Sequence, residues 1–526
     1  MASIDTDVVI VGGGLAGLTL ALQLRKERND IDITVIERKR HPLPAAISKV
    51  GESTVEIGAH YLANIIGQRQ HLESDQLPKF GLRLFFGDAK HDFSCADELG
   101  SSRILSVPTY QLDRGLLENW LAYTAQDQGV NFFDNARVQS VIPGIKNHGV
   151  KFLDDEGEYK LHSRWLIDTA GRTSFLKRRF SLGCENNHHC NAIWFRVDGY
   201  IRIDEWTTSS TWRARCVDFT GKRWLSTNHL MGPGYWVWLI PLASGATSVG
   251  IVSDPDLHPL HSMRTVKLAL NWLEKNQPLC AAAVRGCDIL DFHILRNYSH
   301  DCRQVFSAQQ WALSGESGVF VDPFYSPGTD FIAISNTFIT DLIIRDLAGE
   351  SIESRSVRYQ QMYTSFYRNA LSLYENLYPG FGDRHLMMGK TLWDYAFYWG
   401  ALSILFFQKS LIDLTGMDAC AIHLARIQRC NERMQRLFRH RAIEQRYLEP
   451  KGIFVDQYQI PILRSFNSDL LGPVINETIS AHIKRNADIL WEVAGYLENL
   501  LFVDPQGKAS LREVELLGDF RARLNV

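Results

Sequence analysis

Three glycines near the start of the chain are the first residues whose types and spacing could do chemistry. Gly12, Gly14 and Gly17 follow the apolar run at residues 7–11 and open a stretch with helical periodicity. Glycines in such a turn let the backbone approach a pyrophosphate closely, and the helix N-terminus supplies N–H donors and a positive dipole end. The spacing therefore predicts a binding site for the pyrophosphate of a dinucleotide.

An acidic residue closes the next apolar run and fits the same kind of site. Glu37 lies about 20 residues after the last glycine, where a carboxylate can accept hydrogen bonds from both hydroxyls of an adenosine ribose, and Arg38 follows it. A carboxylate at this position favours an adenosine without a 2′-phosphate. No second glycine unit of this type is present in the sequence, so a nicotinamide nucleotide either binds transiently without its own domain or reduces the cofactor elsewhere.

A second pattern with chemical potential is GYWVWLIP at residues 234–241. In a strand, residues two apart point to the same face, so Trp236 and Trp238 should form one aromatic wall. Ile240 continues that wall, and Pro241 ends the strand pairing. Such a wall is either part of a sheet core or the lining of a cavity, and the pattern leaves both interpretations open.

The composition limits the class of protein. The chain has 526 residues, 45% hydrophobic side chains, a net charge of −3 and nine cysteines without a Cys-x-x-Cys pair. We expect a globular, cytoplasmic protein with reduced thiols and no bound metal. Interspersed charges give no reason to expect nucleic acid as a partner. We also expect no signal peptide and no transmembrane segment, because the apolar run at 393–407 is too short to span a bilayer.

Hydrophobic periodicity indicates the elements that must position these residues. Residues 7–11 are typical of a strand buried on both faces, residues 190–290 favour an antiparallel sheet, and aromatic-rich helical patterns dominate after about residue 346. We therefore expect an α/β protein. Residues 1–345 would form a discontinuous nucleotide-binding domain with a substrate sheet inserted at about 190–290, and residues 346–526 a helical cap.

The N-terminal pattern resembles the FAD-binding opening of the glutathione-reductase-type flavoproteins. Three later segments resemble further parts of that pattern: residues 110–114, 166–172 and 313–323. The resemblance implies a Rossmann-like FAD-binding domain. It assigns cofactor binding to Gly12, Gly14, Gly17, Glu37, Arg38, Arg114, Asp168, Gly171, Gly315, Glu316, Asp322 and Pro323.

Trp-x-Trp-x-Ile-Pro in a flavoprotein of this length resembles the signature of the flavin-dependent halogenases, the family that includes tryptophan halogenases and their phenol- and pyrrole-acting relatives. In that family the wall of Trp236, Trp238, Ile240 and Pro241 would shield the flavin, so that a halide reaches it and an organic substrate does not. The resemblance implies reduced FAD supplied by a separate flavin reductase, and chloride or bromide as co-substrate.

The same family carries a lysine between a Val-Gly-Glu-Ala/Ser-Thr stretch and an apolar strand. Residues 50–54 read VGEST, and Lys79 precedes the apolar run at 80–86. The resemblance assigns to Lys79 the delivery of hypohalous acid to an aromatic ring, by a hydrogen bond or a transient haloamine. The alternatives are a surface lysine at a strand edge, or a catalytic role for Lys49 instead.

One segment departs from the family pattern. Tryptophan halogenases read Asp-Pro-Leu-Glu-Ser-Thr-Gly where residues 322–329 read DPFYSPGT. Tyr325 stands in place of the catalytic glutamate, as an aromatic residue does in the phenol-acting branch, and Ser326 is carried over as a catalytic residue beside it. Pro327 removes a backbone N–H that holds halide in the family. The amides of Gly328 and Thr329 remain as halide ligands.

One helical stretch suggests a partner. Arg426, Arg429, Arg433 and Arg436 recur at three- and four-residue spacing, with Arg439 on the same side. This basic face is either simply solvated or docks an acidic acyl or peptidyl carrier protein that presents a tethered small aromatic substrate. Two other functions remain open for the whole chain: a flavin monooxygenase or dehydrogenase that uses no halide, and a non-catalytic binding protein with an FAD fold.

Overall fold

A computed structural model describes residues 2–45, 49–87, 92–218, 220–444, 449–473, 478–499 and 501. The strands it contains are β1 (Ala2–Val11), β2 (Ile33–Ile36), β3 (Leu77–Pro78), β4 (Leu82–Phe86), β5 (Asp97–Gly100), β6 (Tyr110–Gln111), β7 (Asn131–Phe133), β8 (Arg137–Ile142), β9 (His148–Leu153), β10 (Glu158–Asp168), β11 (Gly183–Cys184), β12 (Asn191–Asp198), β13 (Thr227–Gly232), β14 (Tyr235–Pro241), β15 (Ala246–Ser253), β16 (His293–Leu295), β17 (Asp301–Cys302), β18 (Phe306–Ser307), β19 (Trp311–Leu313) and β20 (Phe454–Asp456).

Helices occupy most of the remaining chain. They are α1 (Leu15–Glu27), α2 (Glu56–His60), α3 (Arg69–Asp75), α4 (Arg114–Asp127), α5 (Phe175–Arg179), α6 (Ser210–Ala214), α7 (Val266–Asn276), α8 (Pro278–Arg285), α9 (Gly328–Leu347), α10 (Glu353–Ser372), α11 (Arg384–Phe397), α12 (Ile404–Phe407), α13 (Leu414–Glu444), α14 (Pro461–Asp469) and α15 (Ile479–Glu498). A π-helical segment, Tyr398–Ser403, joins α11 to α12.

The chain divides into two compact units, each built from three segments. The first unit comprises Met1–Gln76, Leu112–Asn187 and Ser299–Ala370, and the second comprises Leu77–Gln111, His188–Tyr298 and the chain from Leu371 onward. In this grouping the sheet around residues 190–290 belongs with the C-terminal helices. The domain boundaries expected at 345 and 346 stay a prediction.

The sheet of the first unit is the parallel core of a nucleotide-binding fold. Its main order is β18-β19-β10-β1-β2-β7, with β9 and β8 added beside β10. The strands β19, β10, β1, β2 and β7 are parallel. Val8, Val9 and Ile10 in β1 are fully buried, as expected for a central strand covered on both faces. The predicted α/β fold with a helical C-terminal region is confirmed.

The sheet of the second unit has the order β16-β12-β15-β14-β13-β4-β5-β20. Antiparallel pairs join the strands from β16 to β13, as predicted for residues 190–290. The sheet continues beyond these residues with two parallel pairs, because β4 pairs parallel to β13 and β20 pairs parallel to β5. Both strands come from segments remote in sequence, which hydrophobic alternation cannot register against one another.

Two chain-wide expectations can be compared with the structure. All nine cysteines are free thiols, and six of them are buried. No helix among the described residues combines the length and the apolarity that crossing a lipid bilayer would require. The apolar run at 393–407 forms the end of α11, the π-helical segment and α12, and its large side chains are mostly buried.

Candidate functional site

In the turn between β1 and α1, two of the three glycines are in tight contact with neighbouring backbone, and the third has more space around it. A Cβ on Gly12, whose φ is +112°, would lie 2.5 Å from the carbonyl oxygen of Thr169, and a Cβ on Gly17 would lie 2.0 Å from the carbonyl oxygen of Gly12. The nearest atom to a Cβ on Gly14 is Nζ of Lys49 at 3.4 Å. Gly12 and Gly17 therefore permit close packing, while Gly14 leaves its surface accessible to an anionic group beside an ammonium.

Glu37 is buried at the end of β2 and is held by the turn itself. One carboxylate oxygen, Oε2, accepts a hydrogen bond from the Gly13 amide at 2.7 Å, and Oε1 accepts one from the Lys39 amide at 2.9 Å. A carboxylate offers about four lone-pair sites, so capacity for two ribose hydroxyls remains. Arg38 is exposed, and its role in cofactor binding stays a prediction.

A buried carboxylate that the sequence did not single out organises the same unit. Glu118 is fully buried and forms ion pairs with both Arg114 and Lys49. Burial alone would raise the pKa of the Glu118 carboxyl, but the two cations overcome that effect and lower it. Arg114 also donates from Nη1 to the carbonyl oxygen of Val50 at 2.7 Å. Lys49 therefore lies beside the glycine turn, whereas the sequence had suggested it only as a catalytic alternative. We refer to the glycine turn, Glu37, Lys49, Arg114 and Glu118 as the nucleotide cradle.

Asp168 ends β10 and holds the loop that follows it. Its carboxylate accepts hydrogen bonds from the amides of Ala170 at 3.1 Å and Leu176 at 2.8 Å, and from the hydroxyl of Ser317 at 3.2 Å. Burial raises its pKa in spite of these bonds. The geometry therefore indicates that Asp168 shapes the cofactor loop. Direct contact with a cofactor stays a prediction.

Two glycines in left-handed conformations mark the loops next to Asp168. Gly171 has φ +61° and Gly315 has φ +64°, a region that favours glycine. Arg172 and Glu316 follow these two glycines and form an ion pair at 3.1 Å. The two loops assigned to the cofactor are therefore joined within the first unit.

The segment from Asp322 to Thr329 has an unusual backbone. Asp322 Oδ1 accepts from the Phe324 amide at 2.8 Å, and the Ser326 amide donates to the Pro323 carbonyl at 2.9 Å. Tyr325 and Ser326 have φ values of +69° and +60°. Two consecutive non-glycine residues in this region cost about 1–2 kcal/mol each. Such strain is concentrated at functional sites.

The helix α9 begins at Gly328, within the last two residues of this segment. Pro327 precedes its first residue, Gly328, and a Cβ on Gly328 would meet no atom within 4 Å. The side chain of Thr329 packs against Gly58, whose amide donates to Asp330 Oδ1 at 2.8 Å. The first amides of a helix are donors without intrahelical partners and favour an anion. The amides assigned to halide thus lie at a helix N-terminus of the first unit.

Trp236 and Trp238 lie on the same face of β14, as the two-residue period predicts. Their ring centroids are 5.6 Å apart and both side chains are buried. The alternating residues Tyr235, Val237 and Leu239 belong to the hydrophobic core on the opposite face. The two tryptophans therefore face away from that hydrophobic cluster.

Each indole N–H of this wall has a defined acceptor. Trp236 Nε1 donates to the hydroxyl oxygen of Tyr378 at 2.9 Å, and Trp238 Nε1 donates to Ser248 Oγ at 3.0 Å. A Cβ on Gly250 in β15 would lie 2.2 Å from the Trp238 ring. The wall is thus fixed in orientation as well as in position.

Lys79 follows β3 in the second unit and is only 6% exposed. The interpretation as a surface lysine at a strand edge is wrong, because its amide donates to the Thr109 carbonyl at 2.9 Å and the segment is covered. The pKa of His229 is lowered to about 3, chiefly by burial and further by the positive charge of Lys79.

His229 is the residue of this cluster that the sequence did not identify. It lies in β13 directly opposite Trp238, and its ring centroid is 5.2 Å from that of Trp236. Its Nδ1 is 3.3 Å from the carbonyl oxygen of Arg83. His229 and the two tryptophans therefore form one buried cluster, and Lys79 is close enough to lower the pKa of His229. A lone histidine in an apolar run gave no signal of this cluster in the sequence.

The arginine face of α13 is partly neutralised within the chain. Arg426 forms an ion pair with Asp488 and Arg433 with Glu498, both on α15, and both guanidinium groups lie within 6.0 Å of the Trp491 ring centroid. The remaining pair, Arg429 and Arg436, is exposed. The expectation of four arginines available to a partner is therefore wrong for two of them.

Comparison with known proteins gives a consistent result. Residues 5–233 match a family model described as an FAD binding domain. The flavin-dependent halogenase chlA of Dictyostelium discoideum is 27% identical over 364 residues, which span 64% of this chain and 60% of that protein. The 1H-pyrrole-2-carbonyl-(peptidyl-carrier protein) chlorinase of Pseudomonas fluorescens is 25% identical over 393 residues, 70% of this chain and 82% of that protein.

A solved structure extends the likeness along the chain. The crystal structure of halogenase PltM superposes with a TM-score of 0.63 at 14% identity, and the match covers 96% of this chain and 98% of that one. At this identity the superposition shows a shared fold. It includes the C-terminal helical region that the FAD-binding model does not reach.

Proposed function

We propose that this chain is a distant member of the flavin-dependent halogenases, and that it uses reduced FAD, O2 and chloride or bromide to halogenate an electron-rich aromatic compound. The observation that carries the proposal is the buried cluster of His229, Trp236 and Trp238 in the second unit, together with the buried Lys79 whose charge lowers the pKa of His229. A buried ammonium next to an oriented aromatic wall suits the control of a small, reactive oxidant.

The cradle of the first unit fits FAD. Gly14 is open beside the ammonium of Lys49, and Glu37 retains capacity to accept hydrogen bonds. When bound and reduced, the flavin would supply, with O2, the oxidising equivalent that converts halide to hypohalous acid. The residues that we propose to hold it are those of the glycine turn, Glu37, Arg114 and the loops at Gly171, Gly315, Glu316, Asp322 and Pro323.

The tryptophan wall would act by exclusion. Both indoles are held by hydrogen bonds, and the wall presents no titratable group of its own. We propose that it keeps an organic substrate away from the oxidising centre while a small halide and hypohalous acid can pass. Rigid aromatic side chains suit that role, because they cover a large area with few rotatable bonds.

Lys79 would orient the oxidant toward the substrate. Its ammonium can donate a hydrogen bond to hypohalous acid or form a transient haloamine, and either leaves the halogen positioned as an electrophile. The low pKa of His229 keeps its imidazole neutral at physiological pH. Of the two side chains Lys79 and His229, only Lys79 is therefore positively charged.

The substrate class follows from Tyr325. The neutral side chain of a tyrosine is a poorer base than a glutamate carboxylate. Tyr325 therefore offers less help in removing the ring proton than the glutamate of tryptophan halogenases. We propose a substrate whose own hydroxyl or ring nitrogen activates the ring, such as a phenol or a pyrrole. A carrier-tethered form of such a substrate is the finer proposal, supported by the name of the Pseudomonas relative.

One observation favours a second function. Pro327 has no N–H and stands immediately before α9, where the family places a halide ligand. If the remaining amides of Gly328 and Thr329 do not hold halide, the same scaffold would act as a flavin monooxygenase. Both functions share the cofactor and differ in the requirement for halide.

The experiment that separates them supplies the purified protein with FAD, an unrelated flavin reductase, NADH and a panel of phenols, indoles and pyrroles, each with and without bromide. Products are identified by mass spectrometry, where bromine gives an isotope doublet. Halogenated product that requires bromide supports the halogenase. Oxygenated product in both conditions would instead establish the monooxygenase.

A further inference from the structure

A cleft in the second unit lies outside the cluster described above. It encloses about 580 Å³ between two parts of the chain. One side is formed by the start of β12 together with Arg296 and Asn297 after β16. The other side is formed by the loop at residues 255–264. The nucleotide cradle and the halogenation chemistry proposed above make no use of this cleft.

The charged residues that line the cleft are both arginines. Arg264 and Arg296 line it from opposite sides, and both are exposed. Within the described part of the chain neither guanidinium forms an ion pair or a hydrogen bond, and no acidic residue is among those that line the cavity. Arg285, which is also exposed in the second unit, is by contrast paired with Glu274. Two uncompensated guanidinium groups around one cavity favour an anionic ligand.

A buried amide adds a directional donor. Asn191 lines the cleft and is 6% exposed. Its side-chain oxygen accepts from the Asn297 amide at 3.0 Å, and Asn297 Oδ1 in turn accepts from His189 Nδ1 at 3.1 Å. The NH2 group of Asn191 makes no hydrogen bond to any residue that the structure describes. Because that NH2 group reaches solvent, it can donate to a ligand held in the cleft.

The opposite side of the cleft is anchored to the sheet. His258 donates from Nε2 to the Pro233 carbonyl at 2.8 Å and accepts from Trp272 Nε1 at 3.2 Å. Ser253 Oγ donates to the His258 carbonyl at 3.1 Å. The loop that carries Arg264 is therefore held in place at its centre, and the cleft is a preformed feature of the second unit.

From the unpaired arginines, the NH2 donor of Asn191 and the fixed loop, we infer that this cleft binds the phosphate group of a ligand. Phosphate offers several acceptor oxygens to two guanidinium forks and to an amide NH2. The phosphate could belong to a free phosphorylated compound or to the phosphopantetheine arm of a carrier protein. The inference concerns binding alone and does not depend on halogenation.

The test uses the full chain saturated with FAD, so that phosphate cannot occupy the nucleotide cradle. Inorganic phosphate and pantetheine 4′-phosphate are titrated separately by calorimetry at constant ionic strength. We expect one site per chain, with affinity lowered at least about tenfold in the Arg264→Gln/Arg296→Gln variant, since each charged hydrogen bond contributes strongly. Tighter binding of pantetheine 4′-phosphate would identify a carrier arm as the source, and equal binding a free phosphate.

The matched control is Lys267→Gln/Lys275→Gln, which removes the same charge from exposed positions on α7 that do not line the cleft. It should bind phosphate within about twofold of the unmodified protein, because the screened effect of remote surface charge is small. Equal loss in both variants, or no saturable binding, would overturn the inference.

A second measurement needs no variant. Phenylglyoxal modification followed by mass spectrometry should show Arg264 and Arg296 protected by phosphate, and Arg429 unprotected. Equal labelling of all three with and without phosphate would also overturn the inference.

Discussion

The indole N–H of Trp236 donates to the hydroxyl oxygen of Tyr378 at 2.9 Å, and the backbone carbonyl of Tyr378 accepts from the Gly234 amide at 2.9 Å. One residue of the C-terminal region thus binds both the wall side chain and the turn that leads into β14. Its ring stacks on Phe381 with centroids 4.4 Å apart. The helical region therefore braces the tryptophan wall.

Tyr378→Phe should loosen that brace while keeping the backbone bond and the ring packing. Trp236 Nε1 would lose its buried acceptor, so we expect the free energy of unfolding to fall by about 1–3 kcal/mol. With the wall less firmly oriented, more hydrogen peroxide should form for each product molecule. Urea denaturation and a peroxide-to-product ratio measure the two effects.

Ser248→Ala is the matched variant, since it removes the acceptor of Trp238 instead. It should raise the peroxide ratio in the same direction. If Tyr378→Phe changes stability but leaves the ratio at its original value, the brace has no role in exclusion.

Substitution by alanine should affect different properties at two glycines of the nucleotide turn, namely stability at one and FAD affinity at the other. In Gly17→Ala the new Cβ would lie 2.0 Å from a backbone oxygen, so we expect a destabilisation of about 1–3 kcal/mol or failure to fold. In Gly14→Ala the nearest atom is the flexible Lys49 ammonium at 3.4 Å. That variant should fold with FAD affinity reduced at least about tenfold, because the methyl group occupies the approach of the pyrophosphate.

Thermal unfolding and titration of FAD fluorescence distinguish the two glycine variants. Normal FAD affinity in Gly14→Ala would show that the pyrophosphate does not approach at this position.

The buried histidine His229 should make the stability depend on pH. Burial, and then Lys79, hold its folded pKa at about 3, below the ordinary value of 6.5. Its contribution is therefore fully present above pH 6.5 and is lost as the pH falls from 6.5 toward 3, because only the unfolded chain binds the proton in that window. The slope due to one such proton is about 1.4 kcal/mol per pH unit.

His229→Asn should flatten the plot of unfolding free energy against pH between pH 6 and 4 by up to that slope. The pKa of His300 in the first unit is also lowered to about 3, so part of the slope should persist. An unchanged slope in His229→Asn would mean that His229 is already protonated in the folded chain.

Because Arg426 and Arg433 of α13 form ion pairs with α15, a charge-reversal test of carrier docking should use the other arginines of this face. Arg433 pairs with Glu498, so Arg433→Glu would place two carboxylates together and should lower stability. Arg429→Glu/Arg436→Glu alters exposed side chains and should lower turnover of a carrier-tethered substrate while leaving a free substrate unaffected. Kinetics with both substrate forms measure this, and an equal loss on both would exclude docking at this face.

Local patterns in the sequence were sufficient for several elements. The two-residue period placed Trp236 and Trp238 on one face of β14, and the glycine spacing located the turn between β1 and α1. Both depend on residues adjacent in the chain. The burial of Lys79 and its proximity to His229 depend on β4 pairing parallel with β13, a contact between residues far apart in sequence.

The same limit explains the other differences. Helical spacing identified the arginines of α13 but could not show that α15 supplies Asp488 and Glu498. The ion pairs of Glu118 with Lys49 and Arg114 join separate segments of the first unit. Such contacts follow from tertiary packing, for which a single sequence carries no local signal.

The most direct test of the central claim compares the unmodified protein with Lys79→Ala and Lys49→Ala in the presence of FAD, a flavin reductase, NADH, bromide and a reactive phenol. The account predicts a brominated product from the unmodified protein and none from Lys79→Ala, although reduced flavin is still consumed by O2. Lys49→Ala should bind FAD more weakly and recover bromination at saturating FAD. Bromination that persists in Lys79→Ala, or product without bromine from all three proteins, would contradict it.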